Sequence, residues 1–390
     1  MGRPRLVSSQ GSGLIRARVA GTSLPEVRPN AMSNLGHQRY RIARPRPSTG
    51  SPGWILARSR ARNVEAACSV YAGAALTFWA IVRWSPADFW PVHLILYGPR
   101  WILALPALPL IALAAWRRSK KAALALSLAA VGLVPTSGLV LPGWGLVTGP
   151  RPGIPTLRLL TCNVQYGDLK IETMAGLIRL AGPDLVLFQE CHLDDPSVLL
   201  GSGQWYVRSS GEFCLASRHP IVDFSVLRRP DKAYRIIAIR ADISWHGETI
   251  PVVSVHLMTP RDGLEAMIYS PVRGIEPFRR VAQVQCLESS LLLRWIADAP
   301  GAILLAGDFN LTAEHPLYRR DWGGYSNAFS ESSLGFGQTM MTRRIGLRID
   351  HILGGTCWQP AACWVGPDIG SAHRPVLADL SWAGPSDDPG

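Results

Sequence analysis

The stretch that decides the fold is Ala302-Ile303-Leu304-Leu305-Ala306-Gly307-Asp308-Phe309-Asn310. An apolar run that stops at a glycine predicts a buried strand, and Asp308 and Asn310 follow where that strand leaves the core. Side chains at alternate positions of an extended chain point to one side, so this carboxylate and this carboxamide can act on one small target. The same pattern is also typical of a strand followed by an Asx turn that has no chemical role.

Other strand-like runs each carry one polar residue near an end, which is how a rigid sheet builds a site from distant parts of a sequence. These runs are 157–164 with Asn163, 183–190 with Glu190, 251–256 with His256, 349–353 with Asp350, and 371–378 with His373. A single histidine or a single strand-end acid is more often structural, and we interpret His192, His219 and His351 in that way. It is the shared order of the runs that favours a site.

In this order the residues resemble the endonuclease/exonuclease/phosphatase family, and the membrane region described below indicates a membrane-anchored member of bacterial type. The most diagnostic match is Gly307-Asp308-Phe309-Asn310, and weaker matches are 213–221 and Gln338-Thr339. The resemblance covers roughly residues 155–382. It implies a deoxyribonuclease-like α/β fold, a two-layer mixed β-sandwich flanked by helices, with the site at one end of the sandwich.

The resemblance also implies roles for the matched residues. Glu190 would be the main ligand of Mg²⁺ or Mn²⁺, with Asn163 beside it near the phosphate. Asp308 would activate the attacking water, and Asn310 would hold the water or the phosphate. His373, paired with Asp350, would face the scissile phosphate, and His256 would donate a further hydrogen bond to it.

One position departs from the family pattern. The family usually has Ser-Asp-His before the last strand, whereas this chain has Ser371-Ala372-His373. The centre therefore has one carboxylate fewer, which predicts an altered metal site. Two functions follow: a divalent-metal-dependent phosphoesterase, or a catalytically weak or inactive phosphate-binding sensor module on the same fold.

Charge is concentrated at the N-terminus. Residues 1–62 contain twelve arginines and one acid, so about +11 of the net charge of +12 lies there and the remainder is nearly neutral. This balance argues against a basic nucleic-acid groove across the catalytic domain. Because residues 1–62 show no sustained hydrophobic period, we expect a disordered, cytoplasmic, Arg-rich arm, and we also expect a disordered tail at 384–390.

Residues 63–148 differ sharply, because they contain three uncharged apolar runs at 66–82, 101–116 and 122–141. Spanning a bilayer takes about 20 residues, so we predict about three transmembrane helices, of which the second is short. Tryptophans at the ends of the runs fit a membrane interface. The alternative is a set of buried helices in a soluble domain.

The positive clusters set the orientation. The arm and Arg117-Arg118-Ser119-Lys120-Lys121 should both be cytoplasmic, which places the catalytic domain, 155–383, in the periplasm or outside the cell. A Gly- and Pro-rich linker at 142–155 would hold it near the lipid. We expect a phosphate-ester substrate, from nucleic acid or a lipid head group, and no obligate protein partner. The seven cysteines lack metal-site spacing, and their pairing stays open.

Overall fold

The computed structural model of the protein describes residues 52–141, 153–165, 169–193, 195–201, 203–299, 301–342 and 345–384. The predicted arm up to residue 51, residues 142–152 of the predicted linker, and the tail after residue 384 therefore lie outside the described residues. Within the predicted arm, residues 52–62 are helical. They contain alanine and arginine, which favour helix, and they continue directly into the first apolar run.

The helices that follow are short except for the first and the eighth. They are α1 Pro52–Trp84, α2 Trp90–Leu96, α3 Ala107–Arg117, α4 Lys120–Leu133, α5 Ile171–Ala181, α6 Ser197–Leu200, α7 Arg261–Tyr269, α8 Pro271–Trp295, α9 Pro316–Asp321 and α10 Ala328–Ser332.

The strands begin at residue 156. They are β1 Thr156–Asn163, β2 Leu185–Gln189, β3 Tyr206–Ser210, β4 Phe213–Ser217, β5 Ile221–Arg229, β6 Lys232–Trp245, β7 Glu248–His256, β8 Leu304–Asp308, β9 Ser326–Asn327, β10 Met340–Met341, β11 Gly346–Leu347, β12 Asp350–Gly354, β13 Trp358–Val365 and β14 Val376–Trp382.

The strands form two mixed sheets and one small hairpin. The first sheet has the order β13-β14-β1-β2-β4-β3, the second has the order β5-β6-β7-β8-β12-β9, and β10 pairs with β11 alone. Apolar side chains from both sheets form one core between them, and two further cores lie on the outer faces under the helices. This confirms the predicted mixed α/β sandwich and explains why β1, β2 and β8 read as nearly continuous apolar runs.

Local sequence explains where several elements end. Helix α5 buries Met174 and Ile178, four residues apart, and stops at Gly182, which takes the left-handed conformation with φ 58°. Helix α8 begins with Pro271 at its first position, where a missing backbone N–H costs nothing. Gly307 in β8 has φ 140°, and a Cβ there would overlap the carbonyl oxygen of Val255. Only glycine therefore fits this position of β8.

The N-terminal helices pack with their small residues inside and their large residues outside. Their shared core consists mainly of alanines and Cys68, and Gly132 of α4 lies against the backbone of Ala75 in α1. Large apolar side chains point outward along all three longer helices, including Val70, Leu108, Trp116, Leu124 and Val131. This is the reverse of a soluble helical bundle, whose large apolar residues face inward.

Two of these segments are long and apolar enough to cross a membrane by length and composition alone. They are Arg62–Trp84 and Arg100–Arg117, whose most apolar windows are only 17% and 6% buried. The third predicted span is not confirmed, because α4 has 14 residues. At 1.5 Å per residue α4 is about 21 Å long, which is less than the roughly 30 Å of a bilayer core.

The helices contact the rest of the molecule at one end of the group. At that end Arg319 donates to the carbonyl oxygens of Val82 and Arg83, and Arg100 forms an ion pair with Glu314 at 2.8 Å. At the other end Ser119 donates to Glu65 at 2.8 Å. The basic cluster beginning at Arg117 therefore lies at the end of the group away from these contacts.

All seven cysteines are free thiols. Six of them are buried, and Cys286 is partly exposed. The sequence left the pairing of the cysteines open, and in the structure none of the seven forms a disulfide.

Candidate active site

Strand register brings three of the predicted site residues side by side. In the second sheet His256 of β7 pairs with Asp308 of β8, and Asp308 pairs with Asp350 of β12. Residues that are paired across neighbouring strands share a face of the sheet. Two carboxylates therefore lie next to each other with an imidazole beside them, at the end of the sheet where the core opens.

The first sheet supplies Asn163 and Glu190 to the same point. Asn163 is the last residue of β1, and Glu190 directly follows β2, which runs parallel to β1. Glu190 has φ 51°, a left-handed conformation that is uncommon for a residue with a side chain. The chain turns here, and the carboxylate of Glu190 reaches the other sheet.

The amide of Asn163 connects the two sheets. Its Nδ2 donates to Oε1 of Glu190 at 2.8 Å and to Oδ2 of Asp308 at 3.2 Å. One amide group therefore bridges two carboxylates that belong to different sheets. Ser371 fixes this strand end from behind, since its Oγ donates to the carbonyl oxygen of Asn163 at 2.9 Å and accepts from the backbone N–H of His373.

His373 is held by one acid and faces another. Its Nδ1 lies 2.9 Å from Oδ2 of Asp350, and its Nε2 lies 3.8 Å from Oδ2 of Asp308. Burial opposes the charged ring, but Asp350 and Asp308 outweigh this effect and raise the pKa of His373 to about 9. At neutral pH the ring is therefore an imidazolium.

Asp308 is buried and shares the site with a second carboxylate. Burial and the neighbouring charge of Asp350 raise the pKa of Asp308 to about 6, although His373 and His256 act in the opposite direction. A carboxyl group with such a pKa can take and release a proton near neutral pH. Its Oδ1 accepts the backbone N–H of Asn310 at 2.9 Å, which fixes the plane of the carboxylate.

Asn310 is held in place by three contacts besides Asp308. Its side-chain nitrogen donates to the carbonyl oxygen of Leu257 at 2.9 Å, and its own carbonyl oxygen accepts from the hydroxyl of Tyr97 at 2.7 Å. These contacts hold a backbone with φ 51°. Gln285 approaches the same carbonyl oxygen at 3.3 Å. Tyr97 follows α2, so a residue of the apolar N-terminal region supports the loop after β8.

Sequence reasoning missed the partner of His256. Oε1 of Glu212 lies 2.7 Å from Nδ1 of His256, and Arg235 donates to Glu212 and to the carbonyl oxygen of His256. Burial opposes both charges, but the contact raises the pKa of His256 and lowers that of Glu212. Glu212 stands alone as an acid before an apolar strand, which was the only signal in the sequence.

The Nε2 atom of His256 faces the carboxylates of Glu190 and Asp308. It lies 3.7 Å from Oε1 of Glu190 and 3.9 Å from Oδ2 of Asp308. All seven predicted site residues, Asn163, Glu190, His256, Asp308, Asn310, Asp350 and His373, therefore come together in this centre.

The donor set fits a hard divalent cation. Glu190 and Asp308 offer carboxylate oxygens that both accept from the single amide of Asn163, and both residues line the same cavity. Mg²⁺ and Mn²⁺ favour such oxygens and keep part of their water shell. Asp308, Asp350 and His373 also have ligand atoms within 4.8 Å of one another. Since Nδ1 of His373 already contacts Asp350, and Asp308 faces both His256 and His373, Glu190 is the better carboxylate ligand.

The histidine that follows Asp350 in β12 has an ordinary structural role. His351 is buried, its Nε2 contacts the carbonyl oxygen of Leu311 at 2.8 Å, and its Nδ1 contacts Asn327. Burial lowers the pKa of His351 to about 4, so the ring is neutral. His219 is partly buried, and its Nε2 lies 3.8 Å from Oδ1 of Asp184.

The chain therefore combines a two-sheet α/β sandwich with paired acids and histidines at one end of the sheets. Residues 160–387 match the model of the Endonuclease/Exonuclease/phosphatase family. Because this match covers more than half of the chain, the protein belongs to that family, whose members are generally phosphoester hydrolases that use divalent metals. No curated protein sequence matches the chain significantly.

Several solved structures are similar to part of this chain. The 3′-5′ exonuclease NExo from Neisseria meningitidis has 19% identity and a TM-score of 0.45, covering 58% of this chain and 100% of its own. Truncated TDP2 from Caenorhabditis elegans has 16% identity and a TM-score of 0.44, covering 58% and 98%. An endonuclease/exonuclease/phosphatase family protein from Bacteroides thetaiotaomicron has 15% identity and a TM-score of 0.46, covering 59% of this chain and 98% of its own.

Proposed function

We propose that the protein is a membrane-anchored, divalent-metal-dependent phosphoesterase whose catalytic domain comprises residues 155–383. The observation that carries the proposal is the bridge between Glu190 and Asp308 through one amide of Asn163, with the imidazole of His373 3.8 Å from Asp308. Two carboxylates, an amide and an imidazolium around one opening suit an electrophilic phosphorus, an attacking water and a leaving oxygen.

In the reaction, Asp308 accepts a proton from the attacking water while the water oxygen forms a bond to phosphorus. The bond between phosphorus and the leaving oxygen breaks, and that oxygen gains a proton from the imidazolium of His373. Proton exchange between the two side chains then restores the site. Asp350 stabilises the charged ring and holds its orientation, and Asn310 keeps Asp308 in the required plane.

Glu190 and Asn163 would hold Mg²⁺ or Mn²⁺, which would supply positive charge for the phosphoryl oxygens and the leaving oxygen, and Asp308 stays free to take the proton. The side chain of His256 would donate from Nε2 to a phosphate oxygen. Glu212 on the opposite nitrogen favours the charged ring and so strengthens that hydrogen bond.

Membrane anchoring is supported by the helices that carry large apolar residues on their outer side. With alanines inside and Val70, Leu108, Trp116 and Val131 outside, a lipid environment would cover the exposed apolar surface. The basic cluster from Arg117 lies at the end away from the catalytic domain. We infer a multi-pass protein in which α4, continued by the short 3₁₀ helix Val134–Thr136, returns the chain across the membrane. The basic end would then be cytoplasmic, and the catalytic domain would be periplasmic or extracellular.

The test uses full-length protein in detergent micelles with bis-p-nitrophenyl phosphate and Mg²⁺ or Mn²⁺. We expect metal-dependent release of p-nitrophenol that falls by about 10²- to 10⁴-fold in Asp308→Ala and in His373→Ala. Equal rates in the wild type and both variants would contradict the proposal.

Ala372 favours a second candidate, a phosphate-binding sensor module, because it lines the cavity where the family usually has an acid. Such a module would bind inorganic phosphate or a phosphate ester without turnover. Titration calorimetry with inorganic phosphate, together with no hydrolysis under any divalent metal, would identify it.

A further inference from the structure

The cavity above the catalytic groups is larger than a phosphate group needs. It has a volume of about 450 Å³, within the usual range for ligand sites. One part of its wall carries Glu190, His256, Asp308 and His373. Another part carries only apolar or mainly apolar side chains, which are Tyr97, Met258, Leu264, Met340, Leu347 and Ile349.

The apolar part of this wall continues into an apolar cluster that joins α2 to the catalytic domain. Trp90 and Leu94 of α2 pack there together with Tyr97, and Trp90 makes an edge contact with Phe278 of α8. On the catalytic side Leu264, Met267, Leu347 and Ile349 complete the cluster. The segment between the two candidate membrane helices therefore forms one side of the cavity.

The end of α7 exposes large apolar side chains close to the same cavity. Arg261, Leu264 and Glu265 of α7 line the cavity, and at the C-terminal end of the helix Ile268 and Tyr269 are 75% and 85% exposed. Val272, at the start of α8, is 83% exposed. Exposed apolar groups of this kind mark a surface that contacts lipid or another apolar partner.

Charge on the cavity wall argues against a polynucleotide. Among the residues that the structure describes, the permanent cations that line it are Arg235 and Arg261, and they are accompanied by three acids, Glu190, Glu265 and Asp308. Arg235 is bound to Glu212 and to the carbonyl oxygen of His256. Nucleic-acid channels instead use rows of lysine and arginine along the phosphates, with aromatic rings that stack on the bases.

We propose that this cavity binds a membrane lipid phosphoester. The phosphate lies among Glu190, Asp308 and His373, and the adjoining hydrocarbon lies between α7, Tyr97 and the β10–β11 hairpin. This inference rests on the proposed function and specifies the substrate for the same site. The step is the hydrolysis already described: water adds to phosphorus, and the bond to the leaving oxygen breaks.

The test compares p-nitrophenyl alkyl phosphates whose alkyl group grows from methyl to octyl, kept below their micelle concentrations. Full-length protein is used with Mg²⁺, and p-nitrophenol is the leaving group throughout. We expect kcat/KM to rise by up to about fourfold per methylene until the apolar part is filled. Thymidine 5′-p-nitrophenyl phosphate should be a poorer substrate than the octyl ester.

Two variants of Leu264 and one control separate cavity binding from general hydrophobicity. Leu264→Trp keeps the wall apolar but fills space, so the rise should stop at a shorter chain. Leu264→Glu should abolish the rise. Leu180→Glu changes a leucine that is 88% exposed on α5 and should leave the series as in the wild type.

The outcomes distinguish the two proposals. Hydrolysis of every ester with no dependence on chain length, or a preference for the thymidine ester, overturns the lipid inference alone. No hydrolysis of any ester with Mg²⁺ or Mn²⁺ overturns the proposed function and the lipid inference together. A chain-length dependence that is unchanged in both Leu264 variants also overturns the lipid inference.

Discussion

Tyr97→Phe removes a single oxygen atom and tests whether the segment after α2 supports the loop after β8. The hydroxyl donates to the carbonyl oxygen of Asn310 at 2.7 Å, and Phe keeps the ring that lines the cavity. A buried neutral hydrogen bond contributes about 1 kcal/mol net. Because Gln285 still approaches the carbonyl oxygen of Asn310 at 3.3 Å, that oxygen is not left without a partner.

We therefore expect the free energy of unfolding to fall by about 1 kcal/mol and the thermal midpoint to fall by roughly 2–4 °C. We expect kcat/KM to fall about two- to tenfold, because Asn310 holds Asp308 in position. The backbone of Asn310 is in a left-handed conformation, which the surrounding contacts must maintain. The assay is the hydrolysis of methyl p-nitrophenyl phosphate by full-length protein with Mg²⁺.

Tyr206→Phe is the matched control. Its hydroxyl contacts only Gln204 among the described residues, at 3.5 Å on the surface. If Tyr97→Phe and Tyr206→Phe have the same kcat/KM and the same thermal midpoint, α2 does not support the loop and the reasoning is refuted.

Three further substitutions test other parts of the site. Glu212→Gln keeps a hydrogen bond to His256 but removes the negative charge of Glu212, so kcat/KM should fall about 10- to 100-fold. An unchanged kcat/KM would exclude a charged ring at His256. Mg²⁺ at a concentration 100-fold above its Kd should stabilise the wild type by about 2.7 kcal/mol and so raise its thermal midpoint. Glu190→Gln should remove this rise, and a full rise in the variant would exclude Glu190 as a ligand. Arg100→Ala leaves the carboxylate of Glu314 with a weaker partner, so urea unfolding should show a loss of about 1–3 kcal/mol, and no loss would mean that the ion pair is not formed in solution.

The fold was predictable where the sequence has a strong pattern. The predicted runs 157–164 and 183–190 match β1 and β2 to within two residues at each end, and the stretch from Ala302 begins two residues before β8. The agreement is close because buried strands between two layers are continuously apolar. Strands β3, β5 and β13 were not predicted. They are partly exposed, and their polar and apolar residues alternate irregularly, so a single sequence carries little signal for them.

The site was predictable only as a set of separate residues. The resemblance indicated which side chains matter, whereas the bridge through Asn163 depends on two sheets meeting at one end. Glu212 and Tyr97 were missed because each contacts a residue far away in sequence, 44 positions for Glu212 and 213 for Tyr97. No periodicity or spacing in one sequence reports such a contact.

The alignment of His256, Asp308 and Asp350 across three neighbouring strands also limits how this protein can evolve. Inserting one residue in β8 before Asp308 would turn the carboxylate toward the helix layer and replace it with an apolar neighbour. Only a shift of one residue in both β7 and β12 would bring His256, Asp308 and Asp350 side by side again. Descendants of this sequence are therefore free to lengthen their loops, while these three strands must keep their residue count.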